Sequence, residues 1–197
     1  MNKLPYRKII IALLLSGILL ITAGISDAFA VEKIFHNSSE KCQAVILANE
    51  EFFPTLLKSI DEAQNEILIS MFSFKTGEHK NSYPDRIASH LVKAVKRGVK
   101  VFVVLETTGD KSDELSIQNK KARKFLAEKR INVFFDSPRK TTHTKLVVID
   151  QRLIFLGSHN FTQSALKYNN EISVLLDRPD MAKNVRNYIL KIIKEGQ

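Results

Sequence analysis

The sequence predicts one α/β domain with a mixed central sheet flanked by helices, preceded by a signal peptide. Three observations predict it. Apolar strand-like runs alternate with helix-period segments, Gly98 ends a helix directly before a strand, and two apolar runs flank the short turn Asp150-Gln151-Arg152. No internal repeat or linker divides residues 31–197. We therefore expect a single domain over that range.

The elements follow from local patterns in chain order. Ala44–Ala48 is a short apolar strand, and Pro54 suits the first turn of a helix that reaches about Gln64. Val99–Leu105 is a near-continuous apolar run, typical of a strand that is buried on both faces. The other predicted elements are the strand Ile67–Phe74, the helices Pro84–Arg97 and Gln118–Lys129, the strands Ile131–Phe135, Leu146–Ile149 and Leu153–Leu156, a helix near Thr162–Leu166, the strand Ile172–Leu176 and the helix Pro179–Lys194.

Residues 1–30 have the layout of a secretory signal peptide. Three basic residues precede an apolar run over residues 9–25, and Ala28-Phe29-Ala30 forms a small-x-small cleavage site. The apolar run also approaches the length that spans a bilayer, so an uncleaved membrane anchor is the alternative. Under either interpretation residues 31–197 are exported, to the periplasm or the medium.

The chain is basic, with a formal net charge of +9. Cleavage after Ala30 removes three basic residues and one acidic residue and leaves +7. This charge favours a polyanionic partner, either nucleic acid or an anionic membrane. The residues that could follow a phosphate backbone, or else form a solvated surface, are Lys120, Lys121, Arg123, Lys124, Arg139 and Lys140. No aromatic residues interleave with basic ones, so no base-stacking strip is expected.

The cysteine and histidine content predicts neither a metal site nor a cofactor. Cys42 is the only cysteine, so it forms no intrachain disulfide and is expected to be a small, partly buried residue. His36, His79 and His90 lie in loop or helix contexts and are expected at the surface. We also expect no chemistry from His159, because its side chain would point away from its two neighbours.

The segment whose side chains suit catalysis begins at His143. His143 and Lys145 are two residues apart at the entrance of a predicted strand, so both side chains project to the same face. A phosphate between them would relieve the repulsion of two cations, with the lysine neutralising its oxygens and the neutral imidazole attacking phosphorus. Ser158 and Asn160 end the returning strand, also two apart, and can donate to the same phosphate.

This segment resembles the HKD motif of the phospholipase D superfamily. The pattern H-x-K-x4-D-x6-G-S-x-N is matched from His143 to Asn160 at every defined position. Residues 71–74, 96–101 and 160–171 also look like small single-motif bacterial members, such as the exported nonspecific endonuclease. The resemblance covers the chain from about Ala44 to its end.

The resemblance implies a role for each matched residue and no metal. His143 would be the nucleophile that forms a phosphohistidine, and Lys145, Ser158 and Asn160 would bind the phosphate. Glu171 matches an acidic residue that orients the catalytic histidine. Asp150, a fixed part of the catalytic motif, is expected to support the hairpin turn without touching substrate.

Double displacement at phosphorus needs a second histidine, which protonates the leaving oxygen. The chain contains one H-x-K, and single-motif members of the superfamily solve this as two-fold homodimers. We therefore expect a homodimer with one composite site. The favoured substrate is DNA or RNA, with glycerophospholipid head groups as the main alternative, which a retained anchor would favour. A silent binding module is disfavoured, because binding needs no nucleophile.

Overall fold

A computed structural model describes residues 43–77 and 81–197. The predicted signal peptide and three other sequence predictions, on His36, Cys42 and His79, lie outside the described residues. Within the described ranges, no helix has the length and apolar character needed to cross a membrane.

The described chain forms one seven-stranded mixed sheet with helices on both faces, as predicted. The strands are β1 (Gln43–Ala48), β2 (Glu66–Met71), β3 (Lys100–Leu105), β4 (Asn132–Phe135), β5 (Lys145–Ile149), β6 (Leu153–Gly157) and β7 (Ile172–Asp177). The α-helices are α1 (Phe52–Glu62), α2 (Tyr83–Lys96), α3 (Glu114–Ala127), α4 (Gln163–Lys167) and α5 (Pro179–Glu195). A short 3-10 helix, Asn49–Glu51, joins β1 to α1.

The sheet has the order β1-β7-β6-β5-β2-β3-β4. Strands β2, β3 and β4 are parallel, whereas β5, β6, β7 and β1 run antiparallel to their neighbours. Helices α1, α2 and α3 pack on one face, and α5 covers part of the other. Strand β5 contributes to both layers, since Val147 and Ile149 face the first core and Val148 faces the second. The predicted burial of β3 on both faces is confirmed, with Val103 and Val104 in opposite layers.

Two element boundaries differ from the prediction by three residues or more, each because a polar side chain binds the backbone. Helix α3 begins at Glu114, four residues before the predicted start, since the Asp113 carboxylate accepts the Ser116 N–H at 2.8 Å and caps the helix. Strand β2 ends at Met71, three residues before the predicted end. There the buried Asn119 amide donates to Phe72 O at 2.8 Å and accepts from Phe74 N at 3.1 Å. Because these bonds use the Phe72 carbonyl oxygen and the Phe74 N–H, these groups do not pair with a neighbouring strand and β2 ends.

Asp150 holds the turn end of β5 against the neighbouring α1–β2 connection. Its carboxylate accepts three backbone N–H groups, from Gln64 at 2.8 Å, Asn65 at 2.7 Å and Glu66 at 3.0 Å. Asp150 and Gln151 both have positive φ, 52° and 51°, which matches the right-handed twist of a tight hairpin. Asp150 therefore supports the turn, as predicted, and it does so by binding the backbone at the start of β2.

Two buried carboxyl groups hold the other end of β5. The Thr142 N–H donates to Asp136 at 3.1 Å and also to Glu106, while Asp136 accepts the Thr107 N–H at 2.8 Å. Glu106 and Asp136 are each 2% exposed. Burial and the hydrogen bond with Asp136 raise the pKa of Glu106 from 4.5 to about 7, against the lowering effect of the Thr142 N–H. Glu106 therefore keeps its proton to higher pH than an ordinary glutamate, and the two carboxyl groups fix the residue before His143.

Removing the Asp150 carboxylate should weaken the fold. Asp150→Ala loses three accepted hydrogen bonds at a positive-φ position, so we expect the free energy of unfolding to fall by about 2–4 kcal/mol. Asp150→Asn keeps one carbonyl oxygen and tolerates positive φ, so it should lose roughly half as much. Urea unfolding measures both, with Gln151→Ala as a control in the same turn. Equal losses for the two alanine variants would assign the effect to turn strain alone.

The Glu106 carboxyl should make stability depend on pH. Its pKa of about 7 in the folded protein exceeds its ordinary value of 4.5. The folded state therefore keeps a proton that the unfolded chain has lost, and the free energy of unfolding should decline as pH rises from about 5 to 7. Glu106→Gln, which does not titrate, should reduce this decline by roughly 1–3 kcal/mol. Urea unfolding between about pH 5 and 8 tests this, with the exposed Glu50→Gln as control. Superimposable pH profiles for wild type and Glu106→Gln would contradict it.

Candidate active site

His143 and Lys145 meet where β5 begins. The Lys145 Nζ lies 3.2 Å from His143 Nε2 and donates to the His143 carbonyl oxygen at 2.9 Å. The predicted common orientation of the two side chains is therefore realised, although His143 lies just before the strand. Burial lowers the pKa of Lys145, partly opposed by the negative charge of Glu171. An ammonium next to Nε2 favours the imidazole tautomer with its proton on Nδ1, so that Nε2 keeps its lone pair.

The Phe72 ring packs beside both His143 and Lys145. The sequence did not indicate Phe72 as part of the site. Its ring centroid lies 4.5 Å from that of His143, at an interplanar angle of 65°, and Lys145 Nζ lies 4.9 Å from the same ring. The Phe72 N–H donates to Thr144 O at 3.0 Å, which fixes the ring beside the start of β5. The sequence signal for Phe72 was the resemblance of residues 71–74 to the superfamily, which gave it no role in the site.

Ser158, Asn160 and Glu171 lie where β6 leaves the sheet. The Ser158 hydroxyl donates to the Glu171 carboxylate and accepts the Ile172 N–H at 3.1 Å, and Asn169 donates to the other Glu171 oxygen at 3.0 Å. Asn160 Oδ1 is buried and has no hydrogen-bond partner among the described residues. A buried acceptor of this kind suits a hydroxyl or water that approaches with the substrate.

The register of the hairpin joins these residues to the His143–Lys145 pair. Leu146 pairs with Leu156, so the next step along the ladder sets Lys145 opposite Gly157, directly before Ser158. Gly157 has to be glycine, because a Cβ there would lie 2.4 Å from Ser173 Cα and 2.5 Å from Ile172 O. The close approach of β7 brings Glu171 to the same edge.

Asn49 and His159 hold the backbone around Glu171 in place. Asn49 has a φ of 49°, and its side-chain oxygen accepts the Glu171 N–H at 2.9 Å. His159 is fully buried, contacts Asn49 O at 3.0 Å and Ser173 Oγ at 2.7 Å, and stacks on Phe52 at 4.3 Å. His159 therefore points away from Ser158 and Asn160, as expected. The sequence did not indicate Asn49, whose contacts lie 110 and 122 positions away.

The structure lacks one contact that was expected at the site, and it keeps Asp150 away from the site, as expected. Glu171 was expected to orient His143, but within the described ranges its carboxylate bonds Ser158 and Asn169, and no hydrogen bond reaches His143. Asp150 lies at the opposite end of β5 from His143, where its carboxylate is saturated with backbone N–H groups. Asp150 therefore positions the strand and is not a member of the cluster that a substrate could touch.

The other predicted residues lie on the protein surface. His90 is partly exposed and binds Asp61 at 2.7 Å. No group of three potential metal-ligating side chains of His, Cys, Asp or Glu occurs within residues 43–77 and 81–197. The exposed basic residues of α3 and of the loop before β5 are Lys120, Lys121, Arg123, Lys124, Arg139 and Lys140.

Comparisons with known proteins agree with this geometry. The family described as cardiolipin synthase, PLD-like domain, matches residues 56–193. Cardiolipin synthase B of Escherichia coli K12 is 32% identical over 124 residues, which cover 57% of this chain and 28% of that protein. The phospholipase D of Rickettsia prowazekii is 26% identical over 130 residues, which cover 66% of this chain and 56% of that protein. The chain thus spans only part of the length of these relatives.

Solved structures show the same fold. Nuc, a phospholipase D family member from Salmonella typhimurium, superimposes with a TM-score of 0.66 at 26% identity, covering 80% of this chain and 97% of Nuc. NucT from Helicobacter pylori superimposes with a TM-score of 0.64 at 17% identity, covering 79% of this chain and 98% of NucT. With a family match that covers well over half of its length, this chain belongs to the phospholipase D superfamily, whose members act on phosphodiester bonds.

Proposed function

We propose that this protein is a metal-independent phosphodiesterase that works through a phosphohistidine intermediate, as a nonspecific endonuclease on DNA or RNA. The 3.2 Å contact between His143 Nε2 and Lys145 Nζ carries the proposal. It places a nucleophilic lone pair next to a cation that can neutralise the non-bridging oxygens of a phosphodiester. The Asn160 amide adds a donor at the same edge of the sheet, and the Ser158 hydroxyl would add another by turning from Glu171 to the phosphate.

The reaction has two displacements. The His143 imidazole attacks phosphorus, an N–P bond forms, and the leaving oxygen takes a proton from a second imidazole on the opposite side. Water then attacks the phosphohistidine, gives its proton back to the second imidazole and releases His143. The chain has only one H-x-K, so the second imidazole would be His143 of the partner subunit in a two-fold homodimer.

Exposed apolar side chains on the sheet face opposite Lys145 offer a contact surface for a second copy. The register aligns Ile46 with Val174 and Val174 with Leu156, so the three side chains form a row on one face across β1, β7 and β6. Ile46 is 58% exposed and Leu156 is 37% exposed. Such a strip fits the matching strip of a second copy better than it fits water.

Charge and size support nucleic acid as the substrate. Residues 31–197 carry a net charge of +7, which suits the phosphate backbone of DNA or RNA. The chain aligns with 97% of Nuc, whereas it covers only 28% of cardiolipin synthase B. The second candidate is hydrolysis of phospholipid head groups. The names of the curated relatives, phospholipase D and cardiolipin synthase B, favour it.

Activity should depend on His143 and not on divalent metal. We expect cleavage of plasmid DNA and RNA in EDTA, and a loss of at least about 10³-fold in kcat/KM for His143→Ala. His90→Ala is the matched control, because His90 binds Asp61 on the surface and should leave the rate unchanged. Acid-labile, base-stable label on the protein after a quench with labelled substrate would identify the phosphohistidine.

Three results would count against this proposal. Activity that survives His143→Ala would exclude the mechanism, and loss of activity in EDTA would indicate metal-dependent chemistry. Cleavage of phosphatidylcholine vesicles without cleavage of nucleic acid would replace the nuclease by the phospholipase.

If the active site is composite, the activity of mixed dimers should not fall in proportion to the fraction of wild-type subunits but with its square. When wild type and His143→Ala are co-refolded, only dimers of two wild-type subunits carry both histidines, so activity should follow the square of the wild-type fraction. Mixing with His90→Ala should cause no loss. A linear decline with His143→Ala would show that each chain acts alone, and sedimentation in the same buffer gives the mass of the active species.

A further inference from the structure

A cluster of aromatic and cationic side chains lies beside the site, built from segments that are far apart in the sequence. Tyr168, directly after α4, is 69% exposed. Lys167 Nζ lies 5.2 Å from the Tyr168 ring and 5.9 Å from the Tyr83 ring. Tyr83 in turn stacks on Phe53, with ring centroids 4.3 Å apart and an interplanar angle of 15°. We call Tyr83, Lys167 and Tyr168 the aromatic platform.

The platform is firmly supported. The Tyr83 N–H donates to the Gln163 side chain at 2.8 Å, across 80 positions of sequence, and so ties the start of α2 to α4. The Arg86 guanidinium lies 4.8 Å from the Phe53 ring and 5.5 Å from the Tyr83 ring on the outer side. The Tyr168 N–H donates to Ser164 O at 2.8 Å and closes the helix end. The stacked Tyr83 and Phe53 rings are thus held in place by their neighbours, while the Tyr168 ring stays open to solvent.

The platform is continuous with the phosphate-binding edge. Asn169, the next residue after Tyr168, donates to Glu171 at 3.0 Å, and Glu171 accepts from Ser158. Tyr168 is therefore one residue and two hydrogen bonds removed from Ser158. A substrate phosphate at Ser158 and Lys145 would bring the adjoining part of its chain to this surface.

We propose that the aromatic platform is a stacking subsite for an unpaired base of single-stranded nucleic acid, next to the phosphate that is cleaved. This rests on the proposed function and narrows its substrate. An exposed tyrosine next to a lysine combines the π-face on which any base stacks with a charge for the neighbouring phosphate. Bases in a duplex are stacked on each other and cannot reach the ring, so single strands are favoured. No sequence pattern indicated this platform, because residues from α2 and α4 meet only in the fold.

Binding to the full chain separates stacking from charge. In the cleavage-deficient His143→Ala background, Tyr168→Ala should weaken the binding of a short single-stranded oligothymidylate by roughly 5- to 100-fold, and Tyr168→Phe should stay within about 2-fold. An abasic strand with the same phosphates should bind equally to the proteins with and without the Tyr168 ring. Tyr188→Ala removes another exposed tyrosine, on α5, and should change nothing.

The outcomes distinguish this proposal from the proposed function. Equal oligothymidylate affinity with and without the Tyr168 ring, or an equal loss for the abasic strand, would overturn base stacking. A loss of binding to phosphatidylglycerol vesicles in place of the oligonucleotide would assign the platform to a lipid surface. Hydrolysis of bis(p-nitrophenyl) phosphate, a diester without bases, reports the phosphodiesterase chemistry alone and should be unchanged in Tyr168→Ala with His143 intact. Failure of wild type in that assay would count against the proposed function and not against the platform.

Discussion

Strand β5 is held at both ends by carboxylates that accept backbone N–H groups, and the arrangement of the site depends on this. Asp150 binds the start of β2 at one end, and a buried carboxyl pair binds Thr142 at the other. Between them the strand has no freedom to slide. A slip of one residue would turn His143 and Lys145 to the opposite face, so these anchors fix the direction of both side chains.

The charges at the site are balanced by neighbours that the sheet brings together. Lys145 is partly buried, which lowers its pKa, while the nearby Glu171 opposes that shift. Under the site, Glu106 keeps a proton to a higher pH than an ordinary glutamate and so avoids a second buried negative charge beside Asp136. The raised pKa of Glu106 therefore reduces the buried negative charge next to Thr142, the residue before His143.

The sequence alone determined the parts of the protein that depend on neighbouring residues. Apolar periodicity gave the order of strands and helices, and the two-residue period of a strand put His143 and Lys145 on one face. The hairpin turn placed Ser158 beside them, since a short connection leaves the returning strand no other path. The H-x-K spacing also identified the superfamily, which the family match confirmed. Boundaries were less accurate where a single side chain, such as Asp113 or Asn119, binds the backbone.

Only the tertiary structure decided which distant residues meet. Phe72 became part of the site because β2 pairs with β5, and Glu171 was found bonded to Ser158 because β7 lies against Gly157. The partners of Asp150 and the aromatic platform likewise come from segments about 80 or more positions away. No periodic pattern encodes such contacts, because they depend on the order and register of all seven strands. The sequence therefore identified the superfamily, and the fold decided which distant residues surround His143 and Lys145.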